Sequence, residues 1–356
     1  MINYKLVIPL FVIMLLSLGL FSSCNEDNPI TSKSYFAPQR YSWKVDTLEG
    51  LGYEMEPFDS NSYYILKYSN SLIKNDNGII TQYALDFSCQ RIEGDEENHL
   101  MLGGNLEISN GFMFPILKYF NNGSLTEVYK DTVSSFYHYF RNIKFIDNVY
   151  WCGTSKGKVV SYDNGIINTF AFDSSFAVMF ISKDRNNTLN VVLQRTEKDS
   201  LGFPVYTRFN VFSYISGAWQ LVYQKLTTNE SLIFYPGVKN RILALTNVAG
   251  PFGTYDFANG SFIKVFDENI TGVICTSVGG DSMNDLIILG RGINSNNMYS
   301  SLFHWNGFAL SEEIINDFNI AENILGKITY GYGKYYVYCE NESNGMNYLI
   351  IGTKLK

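Results

Sequence analysis

Residues that could do chemistry are few in this chain of 356 residues. It has three histidines, His99, His138 and His304, and none has a second histidine or a carboxylate at the spacing of metal ligands. The sequence motifs of zinc hydrolases, serine hydrolases, P-loop proteins and dinucleotide-binding proteins are absent. We therefore expect no metal and no cofactor, and we favour a protein that is not an enzyme.

The amino terminus carries the clearest functional signal. A short charged start, Met1 to Lys5, precedes an apolar run over 6–21, and the small residues Ser22 and Ser23 stand just before Cys24. This segment resembles the signal of bacterial lipoproteins, in which the cysteine is acylated and becomes the mature amino terminus. The resemblance implies a signal-peptide helix over 1–23 and lipidation, such as palmitoylation, at Cys24. A transmembrane anchor or an ordinary signal peptide is the alternative, but the apolar run is shorter than the roughly 20 residues of a span.

The polar stretch after Cys24 predicts a flexible tether over 24–38, followed by one domain over 39–356. Glu26 and Asp27 resemble the short acidic export signal of surface lipoproteins. We expect an outer-membrane, lipid-anchored protein, with the domain either at the cell surface or facing the periplasm. The net charge of -7 and the lack of a basic run argue against a nucleic-acid partner. The other cysteines, at 89, 152, 275 and 339, are widely spaced in apolar runs and are expected to be buried and free.

A repeat runs through the domain. Short apolar and aromatic stretches end in a turn glycine with a period of about 46 residues, as in SLFHWNG over 301–307 and KVVSYDNG over 158–165. A second apolar strand precedes each turn, as in DLIILG over 285–290. An Asn-Gly pair after an apolar strand predicts a hairpin, because a type I′ turn needs positive φ at both central residues.

Four short strands per period predict an all-β protein with a single β-propeller of seven four-stranded blades. The last repeat, ending in YLIIGTKLK over 348–356, leaves no room for a fourth strand, whereas YSWKVDTL over 41–48 has no blade of its own. We expect this amino-terminal strand to complete the last blade and close the ring. A β-sandwich with a barrel, or a solenoid, remains the alternative. The motifs NDLIILGRG and SLFHWNG resemble the repeats of β-propeller lipoproteins of the Bacteroidetes and Ignavibacteria type, which brings no catalytic residues with it.

The connection between the second and third strand of each repeat varies most in length, and such loops on a regular scaffold are where binding usually occurs. They predict a ligand face of aromatic and amide side chains that suits a glycan or a protein: Phe112, Phe114, Phe203, Tyr206, Asn294 and Tyr299. A binding or scaffold module is our first interpretation. The alternatives are a propeller enzyme acting on an extracellular polymer, which would need carboxylates that converge in the channel, and a structural part of an envelope assembly.

Overall fold

The computed structural model describes residues 41–48, 52–68, 70–95, 99–109, 111–201, 204–227, 231–235, 237–238, 241–247, 253–267, 273–294, 297–307, 310–316, 318–320, 324–341 and 345–355. Cys24, the signal peptide, the tether and Phe203 lie outside these residues. Every regular element of the described residues is a β-strand. None of these residues belongs to a helix of the length and hydrophobicity that crossing a membrane requires.

The strands form seven sheets, numbered here in chain order. The chain begins with β1 (Tyr41–Leu48), which belongs to the last of them. Sheet 1 contains β2 (Gly52–Pro57), β3 (Tyr63–Lys67), β4 (Ser71–Asp76) and β5 (Ile79–Ala84). Sheet 2 contains β6 (Ser88–Gly94), β7 (Leu100–Ser109), β8 (Phe112–Asn121), β9 (Ser124–Lys130) and β10 (Ser135–Phe136). Sheet 3 contains β11 (Phe140–Ile146), β12 (Val149–Thr154), β13 (Lys158–Asp163) and β14 (Ile166–Ala171).

The remaining sheets follow the same order. Sheet 4 contains β15 (Ala177–Lys183), β16 (Leu189–Lys198), β17 (Pro204–Ile215) and β18 (Ala218–Thr227). Sheet 5 contains β19 (Ser231–Tyr235), β21 (Leu243–Asn247), β22 (Gly253–Ala258) and β23 (Ser261–Asp267). Sheet 6 contains β24 (Val273–Ser282), β25 (Asp285–Asn294), β26 (Asn297–Trp305) and β27 (Leu310–Glu312), with β20 (Gly237–Val238) added in parallel to β24. Sheet 7 contains β28 (Ile324–Gly331), β29 (Lys334–Asn341) and β30 (Met346–Lys354) together with β1.

The sheets are arranged as in a β-propeller. The innermost strands contact one another in the order β2, β6, β11, β15, β19, β24 and β28, and β28 contacts β2 again. Sheets 1 to 4 are each built from successive strands of the chain. Between β19 and β21 of sheet 5 the chain contributes β20 to sheet 6, and sheet 7 joins the first described strand to the last three. The all-β propeller prediction is therefore confirmed. The prediction of uniformly four-stranded blades holds only in part, because β10 and β20 make sheets 2 and 6 five-stranded.

The predicted pairing of the amino-terminal strand is confirmed. β1 runs antiparallel to β30 in an uninterrupted register from Tyr41 opposite Lys354 to Leu48 opposite Asn347. The Tyr41 side chain is fully buried. This strand covers the edge of β30 that would otherwise be open, as expected for a ring that avoids exposed edges.

Most of the predicted turns have the expected geometry. Asn77, Asn122, Asn164 and Asn259 all have positive φ and are followed by a glycine with positive φ, which is the type I′ pattern. The stretch SLFHWNG differs, because Gly307 has a φ of 87° whereas Asn306 is not in the left-handed region. Its next strand, β27, begins only at Leu310, so this turn is longer than the predicted two-residue hairpin.

The predicted binding loops between second and third strands are mostly strand. In sheet 2 the pairing of β7 with β8 continues to Ser109 opposite Phe112, and in sheet 6 the pairing of β25 with β26 continues to Asn294 opposite Asn297. The sequence pattern concealed this, because a hairpin that extends beyond the core has no buried face and therefore no alternation of apolar residues.

The core lies between neighbouring sheets rather than in the centre of the ring. One cluster joins Tyr64, Leu66 and Leu72 of sheet 1 to Leu100 and Leu102 of sheet 2.

The predicted burial of free cysteines is confirmed at three positions. They are Cys89, Cys152 and Cys339.

Candidate functional site

The centre of the ring holds a polar cavity of about 800 Å³. Its lining comes from the innermost strands and from the turns that follow them. Glutamates and lysines line the part of the channel that β2, β6, β11 and β28 form, and further charges come from Lys183 of β15 and Asp281 of β24. We call this cavity the channel. Its charged residues are Glu54, Glu56, Glu93, Asp95, Lys144, Asp147, Lys183, Asp281 and Lys327.

Glu54 is the most buried carboxylate of the channel, with 8% of its surface exposed. Lys327 Nζ lies 2.7 Å from Glu54 Oε1, and Arg91 Nη1 lies 3.7 Å from the same oxygen. Burial by itself raises the pKa of Glu54, but the two cations outweigh burial and hold this pKa below its usual value. Glu54 is therefore an ionised carboxylate whose Oε1 is held by two cations.

Glu93 is paired in a similar way. Lys144 Nζ donates to Glu93 Oε2 at 2.6 Å, and the Phe145 backbone N–H donates to Glu93 Oε1 at 3.3 Å. Burial by itself lowers the pKa of Lys144, but the charges of Glu93, Glu56 and Glu54 outweigh burial and raise it. Both oxygens of Glu93 are thus occupied by donors from β11.

Glu56 differs from these two carboxyls. It makes no ion pair with any residue that the structure describes, and its side chain lies against Gly94, where an added β-carbon would be 3.1 Å from Glu56 Cγ. Burial, and then the neighbouring charge of Glu93, raise the pKa of Glu56 to about 8. Glu56 therefore keeps its proton to a higher pH than an exposed glutamate does.

A second feature is a patch of exposed apolar side chains on sheet 2 and the segment that follows it. We call it the aromatic patch. Its members and their exposed fractions are Ile108 (54%), Phe112 (47%), Val133 (65%), Phe136 (48%) and Tyr137 (58%).

Local backbone geometry holds the aromatic patch in place. The two-residue strand β10 pairs with the end of β8, which sets Phe136 opposite Phe112, with ring centroids 6.2 Å apart. Gly111 has a φ of 81°, and a β-carbon there would be 2.7 Å from the Phe136 ring. The Tyr137 N–H donates to the Gly111 carbonyl at 3.1 Å. Glycine is therefore needed at 111 both for its conformation and for the space that Phe136 occupies.

The predicted ligand residues are not gathered into one site. Phe112 is part of the aromatic patch, and Phe114 is half-buried beneath Lys130, whose Nζ is 5.2 Å from the ring centroid. Tyr206 is partly exposed on sheet 4, and Asn294 and Tyr299 lie on sheet 6. Sheets 2, 4 and 6 are not neighbours in the ring, so these residues belong to separate surfaces.

Sequence reasoning missed the channel charges and two aromatic residues of the patch, Phe136 and Tyr137. The pattern Glu-Met-Glu over 54–56 was a usable signal, because alternate residues of one strand point to the same face. The innermost strand that carries it, β2, had not been assigned. Nothing in the sequence marked β10, which has only two residues.

The histidines occupy three different environments. His99 Nδ1 is 3.1 Å from Asp95, and His304 Nε2 is 2.8 Å from Asp285. His138 is buried, with 5% of its surface exposed. Within the described ranges, no cluster of histidine, cysteine, aspartate and glutamate side chains is arranged to hold a metal ion.

No protein-family model matches this chain, and no curated protein matches it. Solved structures do match. One described as YCF48 bound to D1 peptide has 13% sequence identity and a TM-score of 0.56, and the match covers 88% of this chain and 97% of that one. The WD40 β-propeller domain of Doa1 has 12% identity and a TM-score of 0.56, with 89% and 97% covered. The β-propeller domain of the Trilobed protease from Pyrococcus furiosus has 6% identity and a TM-score of 0.55, with 89% and 96% covered.

Identities this low establish the fold and no more. The chain has the β-propeller fold, which suits binding and scaffold roles and supports many unrelated functions.

Proposed function

We propose that this protein is a lipid-anchored envelope protein whose seven-bladed propeller binds a segment of another protein at the aromatic patch. The observation that carries the proposal is the patch itself. Three aromatic side chains whose rings contact one another, Phe112, Phe136 and Tyr137, are each about half exposed on sheet 2 and the segment that follows it. Large exposed apolar patches mark interaction sites in soluble domains, and aromatic side chains are enriched at the centres of protein interfaces.

The patch is suited to a protein partner because it is built before the partner arrives. Gly111, β10 and the Tyr137 N–H fix the positions of the rings, so little side-chain freedom remains to be lost on binding. The structural neighbour YCF48 is described as bound to a peptide, which supports peptide or protein binding by a propeller of this kind. A glycan stacked on Phe112 and Phe136 is the alternative ligand.

A propeller enzyme would require catalytic carboxylates, and the channel contains several carboxylates. Acid–base cleavage of a polymer uses two carboxyl groups that are both available to the substrate. Both oxygens of Glu93 are held by Lys144 and Phe145, and Glu54 is held by Lys327 and Arg91. Among these three glutamates Glu56 alone has no cationic partner, so they do not supply the two available carboxyls of this mechanism. The geometry therefore favours binding over hydrolysis.

The partner can be tested by placing a photo-crosslinking amino acid at Phe112 or Phe136 in living cells. A matched control is the same substitution at Leu201, which is 79% exposed in the connection between β16 and β17. We expect a discrete protein adduct from the two patch positions and none from Leu201. The same partner should no longer copurify with the Phe112→Ser/Phe136→Ser variant, and its copurification should survive Leu201→Ser. A glycan adduct, or adducts of equal yield from all three positions, would contradict a protein-binding patch.

The membrane anchor has its own experiment. The short apolar run and the small residues before Cys24 support acylation at this cysteine. Mass spectrometry of membrane-extracted protein should find a diacyl or triacyl amino terminus at Cys24, and Cys24→Ala should abolish processing and membrane attachment. Protease added to intact cells should remove the domain if Glu26 and Asp27 direct it to the surface. Protection of the domain would instead place it on the periplasmic side.

A further inference from the structure

A groove between sheets 3 and 4 lies beside the channel, and none of its lining residues belongs to the aromatic patch. Its volume is about 510 Å³, and small-molecule sites have roughly 300–1,000 Å³. One wall comes from β12 and the turn before it, and the other comes from the connection between β15 and β16 and from the end of β17. Asp147, Lys183 and Asn187 line both the groove and the channel, so the two adjoin. We call this feature the interblade groove.

Trp151 of β12 and Tyr214 of β17 supply the aromatic part of the interblade groove. Their ring centroids lie 5.8 Å apart across the boundary between the two sheets. Phe170 stacks on Trp151 with centroids 6.0 Å apart, and Trp219 packs against Tyr214 with centroids 5.0 Å apart. Trp151 and Tyr214 nevertheless remain partly exposed. Because neighbouring rings already fix both side chains, a ligand that packs against them has little left to order on binding.

The charges of the interblade groove cancel each other. Among the described residues that line it, the charged ones are Asp147 and Lys183. Lys183 Nζ donates to Asp147 Oδ1 at 2.7 Å and to Asn187 Oδ1 at 2.8 Å, and Lys183 is only 7% exposed. An ionic ligand would lose its hydration and find no unpaired opposite charge here. The groove therefore matches an uncharged ligand.

Polar groups without a partner surround the two rings. Within the part of the chain that the structure describes, none of the following atoms takes part in a hydrogen bond: Asn187 Nδ2, Thr188 Oγ1, Tyr214 Oη and Ser216 Oγ. The three hydroxyls can donate and accept, and the amide nitrogen donates. An apolar side chain of a peptide would take these groups out of water without replacing their hydrogen bonds, which costs free energy. A ligand with an apolar ring face and hydroxyls around its edge satisfies both parts of the lining.

We infer that the interblade groove binds an uncharged pyranose unit of a glycan. The C–H groups on one face of the sugar ring pack against Trp151 and Tyr214. The sugar hydroxyls exchange hydrogen bonds with Asn187, Thr188 and Ser216 at the rim. This inference does not rest on the proposed protein-binding patch, because the groove belongs to sheets 3 and 4 and the patch to sheet 2 and the segment that follows it.

Saturation-transfer difference NMR on the full-length protein, in a detergent without a sugar head group, would test the site. The probes are cellotetraose, maltotetraose, mannotetraose and chitotetraose, which are uncharged, and trigalacturonic acid is the charged control. We expect at least one uncharged probe to bind, with the strongest transfer to the C–H protons of one ring face. Tryptophan fluorescence would give the dissociation constant, because Trp151 lines the groove. Trigalacturonic acid should bind at least about tenfold more weakly, because its carboxylates meet no unpaired cation.

A pair of double variants locates the site. Thr188→Val/Tyr214→Phe keeps the shape of both side chains and removes two hydroxyls, so it should weaken binding at least about fivefold and leave the melting temperature nearly unchanged. Thr169→Val/Tyr206→Phe makes the same chemical changes at exposed positions outside the groove, with Tyr206 near the other end of β17. This control should bind like the parent.

Four results would overturn the inference. They are an absence of binding by all four uncharged probes, binding of a blocked Leu-Tyr-Leu peptide in their place, equal affinities of the two double variants, and loss of binding in Phe112→Ser/Phe136→Ser. The last result would place the sugar at the aromatic patch. Probe binding to the parent is measured without any substitution, so it decides the first two points even if a variant folds poorly.

Discussion

Replacing Tyr41 by alanine should destabilise the whole propeller, because this side chain anchors the strand that closes the ring. Tyr41 is fully buried. Its ring packs edge-on against Tyr335 and His304, with centroid distances of 5.2 and 5.3 Å, and its hydroxyl donates to Asp285 of sheet 6. One residue of β1 therefore ties sheet 7 to the neighbouring sheet.

The size of the effect follows from these contacts. Truncating a fully buried aromatic side chain to alanine costs about 3–5 kcal/mol of the free energy of unfolding. In a domain of this length each kcal/mol lowers the melting temperature by about 1–2 °C, so the expected drop is about 3–10 °C. Tyr41→Phe retains the packing and loses only the hydrogen bond to Asp285, which is worth about 1.5–3 kcal/mol because the acceptor is charged. The melting temperature of Tyr41→Phe should therefore fall by less than that of Tyr41→Ala.

Urea and thermal unfolding, followed by tryptophan fluorescence and circular dichroism, would measure these changes. Tyr68→Ala is a matched control, because Tyr68 is 66% exposed, and it should cost less than about 1 kcal/mol. Deleting 41–48 should destabilise the domain further and promote aggregation through the freed edge of β30. The closed-ring model is refuted if Tyr41→Ala unfolds within 1 kcal/mol of the parent, or if the deletion variant melts like the parent.

Two further predictions concern pH and packing. Burial lowers the pKa of His138 below its usual 6.5, and this outweighs the opposing charge of Asp131. The unfolded chain therefore binds the proton more readily than the folded protein, so the free energy of unfolding should decrease as the pH falls below about 6.5. Urea unfolding at several pH values should show that this free energy depends less on pH in His138→Gln than in the parent. At Gly153 a β-carbon would lie 2.2 Å from Val178 Cγ1. Gly153→Ala should cost about 1–3 kcal/mol, and less when combined with Val178→Ala; additive costs in a double-mutant cycle would contradict a direct clash.

The strand repeat was predictable because it rests on local chemistry. Asparagine and glycine at 77–78, 122–123 and 164–165 adopt the positive φ that a tight hairpin needs, whatever surrounds them. The apolar strands between these turns are recognised by composition alone. The match between a missing last strand and the spare strand over 41–48 was also visible in the sequence, and the register of β1 with β30 agrees with it.

The candidate sites depended on long-range placement. Phe112 was identified because it lies in a variable connection, but its neighbour Phe136 is 24 positions further along the chain and reaches it only through β10, a pairing of two residues. No local preference encodes so short a strand. Its position depends on the Gly111 conformation and on the hydrogen bond that the Tyr137 N–H donates to the Gly111 carbonyl.

The sequence by itself determined the propeller, since the period of strands and turns allows few other ways to bury so many short apolar strands. Only the tertiary structure decided which charges meet in the channel. Glu54 and Lys327 are 273 positions apart, and they form an ion pair because ring closure brings β2 beside β28. The protonation of Glu56 follows from the same closure, because burial and the charge of Glu93 on the adjacent β6 together raise its pKa to about 8. Neither influence is present in the linear sequence, because both burial and charge proximity arise only when the strands assemble around a common centre.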